Sequence, residues 1–442
     1  MKTKTAFTAA LILGLSIIHL PRASGQGSLT PPPGAPVPTM KSLDQVEART
    51  PIDPNQPGFA LPYTISTRGS YYLTANLAVT GGNAIVISAS NVTLDLNGFT
   101  ISSSAGPAGG TAIAPGGFLT DIAILNGRIV GSFQHGIRFS GALGVLKNVR
   151  VEGMSVSGCS GEGINLGNFS SVVIDRCTVQ QIGVQGIVGG SVNNSVAENC
   201  GSTGITAKSA TNCVGSSSAS QRGVYAGTAV NCYGASATGT GIDADSATGC
   251  RGESTALSST GTGLNAATAT GCYGSNTNGS GIGLSATSAN GCYGVSNTGT
   301  GLNATTALGC FGQSGTSGIG LNAENASNCY GTSSSNYGIQ ANIASNCYGT
   351  STSGIGLNAV DASNCRGASS SNYGILAINA SNCYGSSESS TGLNCSLLSG
   401  TASFCRGFSN SGPCLSAYIA IGCTSSGTGT PQISATFKYL MP

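Results

Sequence analysis

His135, Arg138 and Glu162 are the residues of this 442-residue chain best suited to moving a proton. A Gly-Ile pair follows His135, Glu162 and Gln185 directly, so these three side chains occupy one position of a repeating unit. Arg138 and Asn165 lie three residues after the first two, at a shared outward position. If consecutive units stack in register, an imidazole and a carboxylate meet beside a guanidinium, a proton-transfer pair with a cation at hand. The same residue types also furnish ordinary polar surface.

A second set is longer. Tyr233, Arg251, Tyr273, Tyr293, Phe311, Tyr330, Tyr348, Arg366, Tyr384 and Arg406 each follow a cysteine, in ten successive repeats. At the strand spacing they form an outward strip roughly 45 Å long. Aromatic faces stack on sugar rings, and arginines between them pair with uronate or sulfate groups. A stacked ladder also stabilises parallel strands by itself. Another outward file holds Asn265, Ser285, Asn303, Asn322, Gln340, Asn358 and Asn394, interrupted by Asp243 and Leu376. A regular amide and hydroxyl ladder of this kind suits ice or a crystal surface.

The 17 cysteines carry a third possibility. Fourteen align as one column, from Cys177 and Cys200 through Cys213 to Cys423, which reads as small apolar side chains filling a narrow core. The column lacks histidine partners and its spacing builds no tetrahedron, so a metal is not expected, and no cofactor is. Cys159, Cys395 and Cys414 fall off the column and are the better candidates for a true bridge.

The elements that position these residues follow from periodicity. Ala84 to Ser88, Val92 to Asn97 and Ile122 to Asn126 alternate apolar and polar residues between Gly and Asn, so they read as short strands. From Cys213 to Cys383 the cysteines step by 19, 18, 22, 20, 18, 19, 18, 18 and 18 residues. Ala stands three before the Cys, Asn or Gly one before, and Gly two after. A Gly with Ile, Leu or Val after it lies nine ahead. Self-similarity at this period means a solenoid of stacked coils, here about fifteen. Within one coil Ile339 and Ala341 point inward and Gln340 outward; Asn346 takes a left-handed corner; Cys347 and Gly349 face inward and Tyr348 outward. Parallel crossovers favour a right-handed coil.

At this point the chain resembles the right-handed parallel β-helix family typified by pectate lyases and polygalacturonases. Gly69-Ser-Tyr-Tyr-Leu-Thr-Ala-Asn76 and Asn91-Val-Thr-Leu-Asp-Leu-Asn-Gly-Phe-Thr-Ile101 look like the first coils of secreted bacterial β-helix proteins, and the Ala-x-Asn-Cys corner is similar to that family's asparagine turn. The resemblance spans residues 58 to 425. It implies the fold well and the activity poorly, because the scaffold carries lyases, hydrolases, adhesins and spacers alike. The paired-acid, Asn-Thr-Asp and Gly-His-Gly motifs of the hydrolases have no match, and Asp243 with Asp245 is thin provision for the calcium of the lyases.

Composition bounds the rest. Only 7% of residues are charged while 39% are apolar, which excludes a disordered chain. Residues 1 to 25 read as a signal peptide: Lys2 and Lys4, an apolar run to Leu20, then small Ala23, Ser24 and Gly25. Its removal takes Lys2, Lys4 and Arg22 and shifts the formal charge from +2 to −1, which leaves no basic surface for nucleic acid. No transmembrane span is expected in the mature chain. A Pro-rich spacer and N-terminal cap over 26 to 57, with a short helix over 42 to 49, should precede the β-helix of 58 to 425 and a tail or cap over 426 to 442. The expectation is therefore an all-β, monomeric, secreted or cell-surface solenoid of 18 to 20 residues per coil. It would bind polysaccharide without catalysis, the alternative being a lyase or hydrolase.

Overall fold

A computed structural model describes residues 49–104, 109–139, 146–257 and 259–440. The signal segment, the expected helix up to residue 48 and the spacer and cap up to the same residue lie outside the described residues; within 49–57, expected to precede the β-helix, Arg49–Ile52 is already its first strand. What is described is one parallel β-solenoid of right-handed type, with about 20 turns of about 19 residues and almost no helix. Every strand pairing is parallel, turn upon turn.

The number of turns exceeds the fifteen expected, and one file of paired residues shows why. It runs Arg49, Ser70, Thr93, Ala123 and Arg150 before it reaches Val173, just ahead of the first column cysteine. Counting by cysteines misses these turns, whose interior is Leu, Ile and Val instead. The ladder also starts at Arg49–Ile52 and ends with Ile433–Tyr439, which pairs with Leu415–Ile421.

Each turn has three faces. Early turns show three separate strands, as in Val92–Asp95, Thr100–Ser103 and Gly109–Pro115. In later turns two faces merge into one bent seven-residue strand, such as Ile339–Ser345, while Tyr348–Ser351 forms the third. The bend is visible in burial: Ile339, Ala341 and Ala344 are inside, and Asn342 and Ile343 are both exposed. One aliphatic file, from Ile85 through Ile113, Ile137, Ile164 and Ile187 to Leu415, stays fully buried along the molecule. Each such side chain contributes about 1.5–3 kcal/mol by leaving water. The opposite file tapers from Ile124, Val151, Ile174 and Val192 to Ala210 and alanines thereafter, so the cross-section narrows.

Narrowing ends in backbone contact. A Cβ on Gly349 would lie 2.1 Å from the Gly356 carbonyl oxygen, and one on Gly331 would lie 2.1 Å from that of Gly338. The glycine of the short strand therefore touches the glycine that opens the bent strand, with no side chain between them. Behind it, buried Ser333, Ser369 and Ser387 donate to carbonyls of Gly318, Gly354 and Asn372 at 2.7 Å. The same hydroxyls accept from the N–H of Asn336, Asn372 and Ser390 at 2.9–3.0 Å. This serine file, four residues after most column cysteines and replaced by Asn276 after Cys272, closes the loops and satisfies their polar groups, although the buried Ser314 hydroxyl has no partner.

The corner before the short strand is left-handed throughout. Asn328, Asn346, Asn364 and Asn382 have φ of 52–55°, and Gly249, Gly271, Gly291 and Gly309 have 58–60°. Arg176 and Phe404 adopt the same conformation, each with φ 51°, which costs an ordinary L-residue about 1–2 kcal/mol. The Phe404 ring is 63% exposed, so little burial offsets that strain. Phe404→Asn is accordingly expected to raise unfolding stability by about 1 kcal/mol in a urea titration. A lower stability would mean that the ring's cover over Gly422 outweighs the strain.

Candidate functional site

The structure brings His135, Arg138 and Glu162 together. Arg138 Nη1 is 2.8 Å from His135 Nε2, and Arg138 Nε is 3.1 Å from Glu162 Oε2. Glu162 Oε2 stands 3.4 Å from His135 Nδ1, and the Glu162 main-chain N–H donates to that nitrogen at 3.1 Å. Asn165, buried, donates to Glu162 Oε1 at 2.6 Å. Gln185 follows Glu162 in the file, through the bond from the Gly163 N–H to its carbonyl. Both ring nitrogens thus face N–H donors. Burial pushes the His135 pKa below its usual 6.5, Arg138 lowers it further and Glu162 opposes them.

One carboxylate thus holds a guanidinium in an ion pair and an amide by a hydrogen bond, with its buried Oε2 left without a hydrogen-bond partner. The cluster also carries a pH signature. With the folded pKa below the unfolded 6.5, stability is complete above that pH and is lost as pH falls toward the folded value. The melting temperature should therefore drop below about pH 6.5, with a shallower drop in His135→Gln. Identical pH profiles for the two proteins would refute this.

The Tyr and Arg strip is a continuous stack. Tyr273, Tyr293 and Phe311 lie parallel with ring centres 5.3 and 4.5 Å apart, and Tyr330 stacks on Tyr348 at 5.1 Å. Phe311 meets Tyr330 edge-on at 5.1 Å. Arg251 covers Tyr273, Arg366 sits between Tyr348 and Tyr384, and Arg406 covers Tyr384. Tyr233 joins through its hydroxyl, 2.7 Å from Glu253, which also holds Arg251. Both ring faces of Tyr273, Tyr293, Tyr348 and Tyr384 are spent on neighbouring rings or guanidiniums. Sugar stacking needs an open face.

The cysteine column is buried and all 17 thiols are free, including Cys159, Cys395 and Cys414, so the bridge expected among those three is not made. Each has a place in another file. Cys395 pairs with Ala417 in an alanine file, Cys414 takes the position of the strand-opening glycine, and Cys159 precedes Ile182 and Cys200. Cys200 is itself misplaced by the sequence alignment: Ser195 occupies the column between Cys177 and Cys213, and Cys200 pairs with Ser217 of the serine file. The clue was arithmetic, since Cys177 to Cys213 is 36 residues, two turns of 18. Column thiols donate to carbonyls of the preceding turn, as Cys347 does to Ala326 at 3.4 Å.

A concave site emerges that sequence reasoning missed. On the bent strands a groove of about 670 Å³ runs along the solenoid axis. One wall is the amide file, Asn303, Asn322, Gln340 and Asn358; the other is Thr305, Glu324, Asn342, Val360 and Ile378. Its floor is the backbone of Ala304, Ala323, Ala341, Ala359 and Ala377, whose Cβ atoms turn inward. Walls two residues apart stand about 6.8 Å from each other between Cα atoms. Asn322 Nδ2 donates to Asn303 Oδ1 at 2.7 Å, which orients that wall. The groove ends at Leu397, in a single 3-10 turn, Leu397–Ser399, inserted where the other rungs bend. The amide wall was legible as a file; the opposite wall was not, because the place of the bend is set by packing.

Comparison with protein-family models, with curated proteins and with solved structures gives no match.

Proposed function

We propose that this chain is an exported, non-catalytic scaffold of the pectin lyase-like kind that binds an extended neutral polysaccharide in the groove of the bent strands. The observation that carries the reading is the pair of polar walls flanking a floor of bare backbone, repeated at about 4.8 Å per turn. Amides give and accept hydrogen bonds with hydroxyls, and the flat floor suits the C–H face of a ring. Glu324 is the one charged residue lining the groove, which favours a neutral chain over an acidic one. The apolar leader of residues 1 to 25 supports export. The Tyr and Arg strip serves stability in this reading, because its ring faces are occupied. A hydrolase or lyase would rest on the His135 cluster, which offers a single carboxylate where glycoside hydrolysis uses two.

Titration calorimetry with neutral oligosaccharides of six sugars tests this. Asn322→Ala combined with Gln340→Ala should weaken binding about 30-fold, two hydrogen bonds' worth. Changing Tyr293, Tyr330 and Tyr348 together to Ala should lower the melting temperature and leave affinity unchanged. No binding by any neutral glycan would end the proposal, and binding lost only in the tyrosine variant would return recognition to the strip.

A further inference from the structure

The groove changes character along its length. Its N-terminal half is walled by Asn303, Thr305, Asn322, Glu324, Gln340 and Asn342. Its C-terminal half is walled by Asn358, Val360, Leu376 and Ile378 and ended by Leu397, with Val360 41% and Leu397 51% exposed. The facing wall turns apolar first, at Val360 opposite Asn358, and one rung later Leu376 breaks the amide file opposite Ile378, so that from there both walls are apolar. The inserted turn then sets Leu397 across the end. Aliphatic side chains, exposed at Val360 and Leu397 and half-buried at Leu376 and Ile378, meeting at one groove end mark a recognition surface.

We infer that the ligand is a neutral glycan carrying an apolar group at one end, bound in a single direction with that group against Val360, Leu376, Ile378 and Leu397. The inference rests on the glycan reading above and adds to it the ligand's polarity and orientation. Three polar rungs span about 15 Å, room for roughly three sugar residues, and the apolar end covers about two rungs more. A glycan of uniform polarity would leave those aliphatic side chains facing its hydroxyls, with no gain from removing them from water. An alkyl or acyl group there removes apolar surface on both partners.

The test compares maltotriose, its octyl glycoside and octyl phosphocholine, with the corresponding cellotriose pair as a second sugar series. The octyl glycoside of one series should bind about tenfold tighter than the bare trisaccharide or better, and octyl phosphocholine should not bind. Leu376→Asn with Leu397→Asn should abolish the difference and leave the trisaccharide affinity unchanged. Asn322→Ala with Gln340→Ala should weaken both glycans. Equal affinity for bare and alkylated sugars overturns this inference alone, whereas no binding of either sugar form overturns the glycan reading beneath it. Binding of octyl phosphocholine as tight as that of the glycoside overturns it too, since the end would then be a general apolar patch. A concentration-dependent dimer that dissociates in the Leu376→Asn, Leu397→Asn protein would assign the patch to a second copy and overturn it as well.

Discussion

Gly349→Ala should remove about 3 kcal/mol of folding stability. The added Cβ would sit 2.1 Å from the Gly356 oxygen, 2.8 Å from its carbonyl carbon and 3.1 Å from Leu357 Cβ. None of these is the far end of a flexible side chain. Relief requires the short strand to move away from the bent one, and both are hydrogen-bonded to the turns above and below. Thr350→Ala, on the next residue and pointing outward, should cost less than about 0.5 kcal/mol. Urea denaturation of the two variants provides the comparison. Since solenoid turns are stabilised mainly by their immediate neighbours, Gly349→Ala should also show new protease cleavage near that turn before global unfolding. Equal stability of the two variants would mean that the turns are not packed backbone to backbone.

None of the thiols should react in the native protein, and 17 should react once it is unfolded. Burial is the cause: it keeps reagents out and pushes Cys159 and Cys200 up to about 12 and Cys177 up to about 11. At pH 8 a thiol so shifted is about one part in a thousand thiolate or less, and only the thiolate is the nucleophile. Cys423, lowered to about 7 by its hydrogen bond with Cys405, is protected by inaccessibility alone. Along the column the thiols instead hydrogen-bond the carbonyls of the turn before, as Cys365 does to Ala344 at 3.3 Å and Cys383 to Ala362 at 3.5 Å. Stacked parallel strands hold neighbouring Cβ atoms near the 4.8 Å repeat, wider than the separation a disulfide prefers. Titration with a chromogenic disulfide reagent, before and after guanidinium, gives the two counts. A denatured count short by even numbers would show that bridges had formed and would refute the free ladder. A rapid native reaction of several thiols would refute the packing.

Much of this was legible because a solenoid repeats its chemistry. The left-handed corner at Asn346, the inward Ile339 and Ala341 and the outward Tyr348 all follow from local rules applied once per turn. The meeting of His135, Arg138 and Glu162 was also legible, as equal offsets from a Gly-Ile pair. Legibility failed where the repeat is masked. Ser195 stands in for a cysteine, so Cys200 was placed on the wrong file, and turns built from Leu and Ile were not counted. The serine file was visible in the spacing and went unread, since its partners lie 15 residues back across a loop whose path the spacing does not describe.

By itself the sequence determined that the chain coils, its period, which residues turn inward and where its corners lie, because these depend on alternation, glycine and asparagine conformations, and nearest neighbours. Only the tertiary structure decided that the aromatic rings spend their faces on each other while two files of modest side chains become the walls of a groove. Whether an outward residue lies on a ridge or beside a floor depends on where a strand bends. That bend is set by how the inward alanines and glycines of facing strands fit, a relation between residues far apart in the turn that no single offset records.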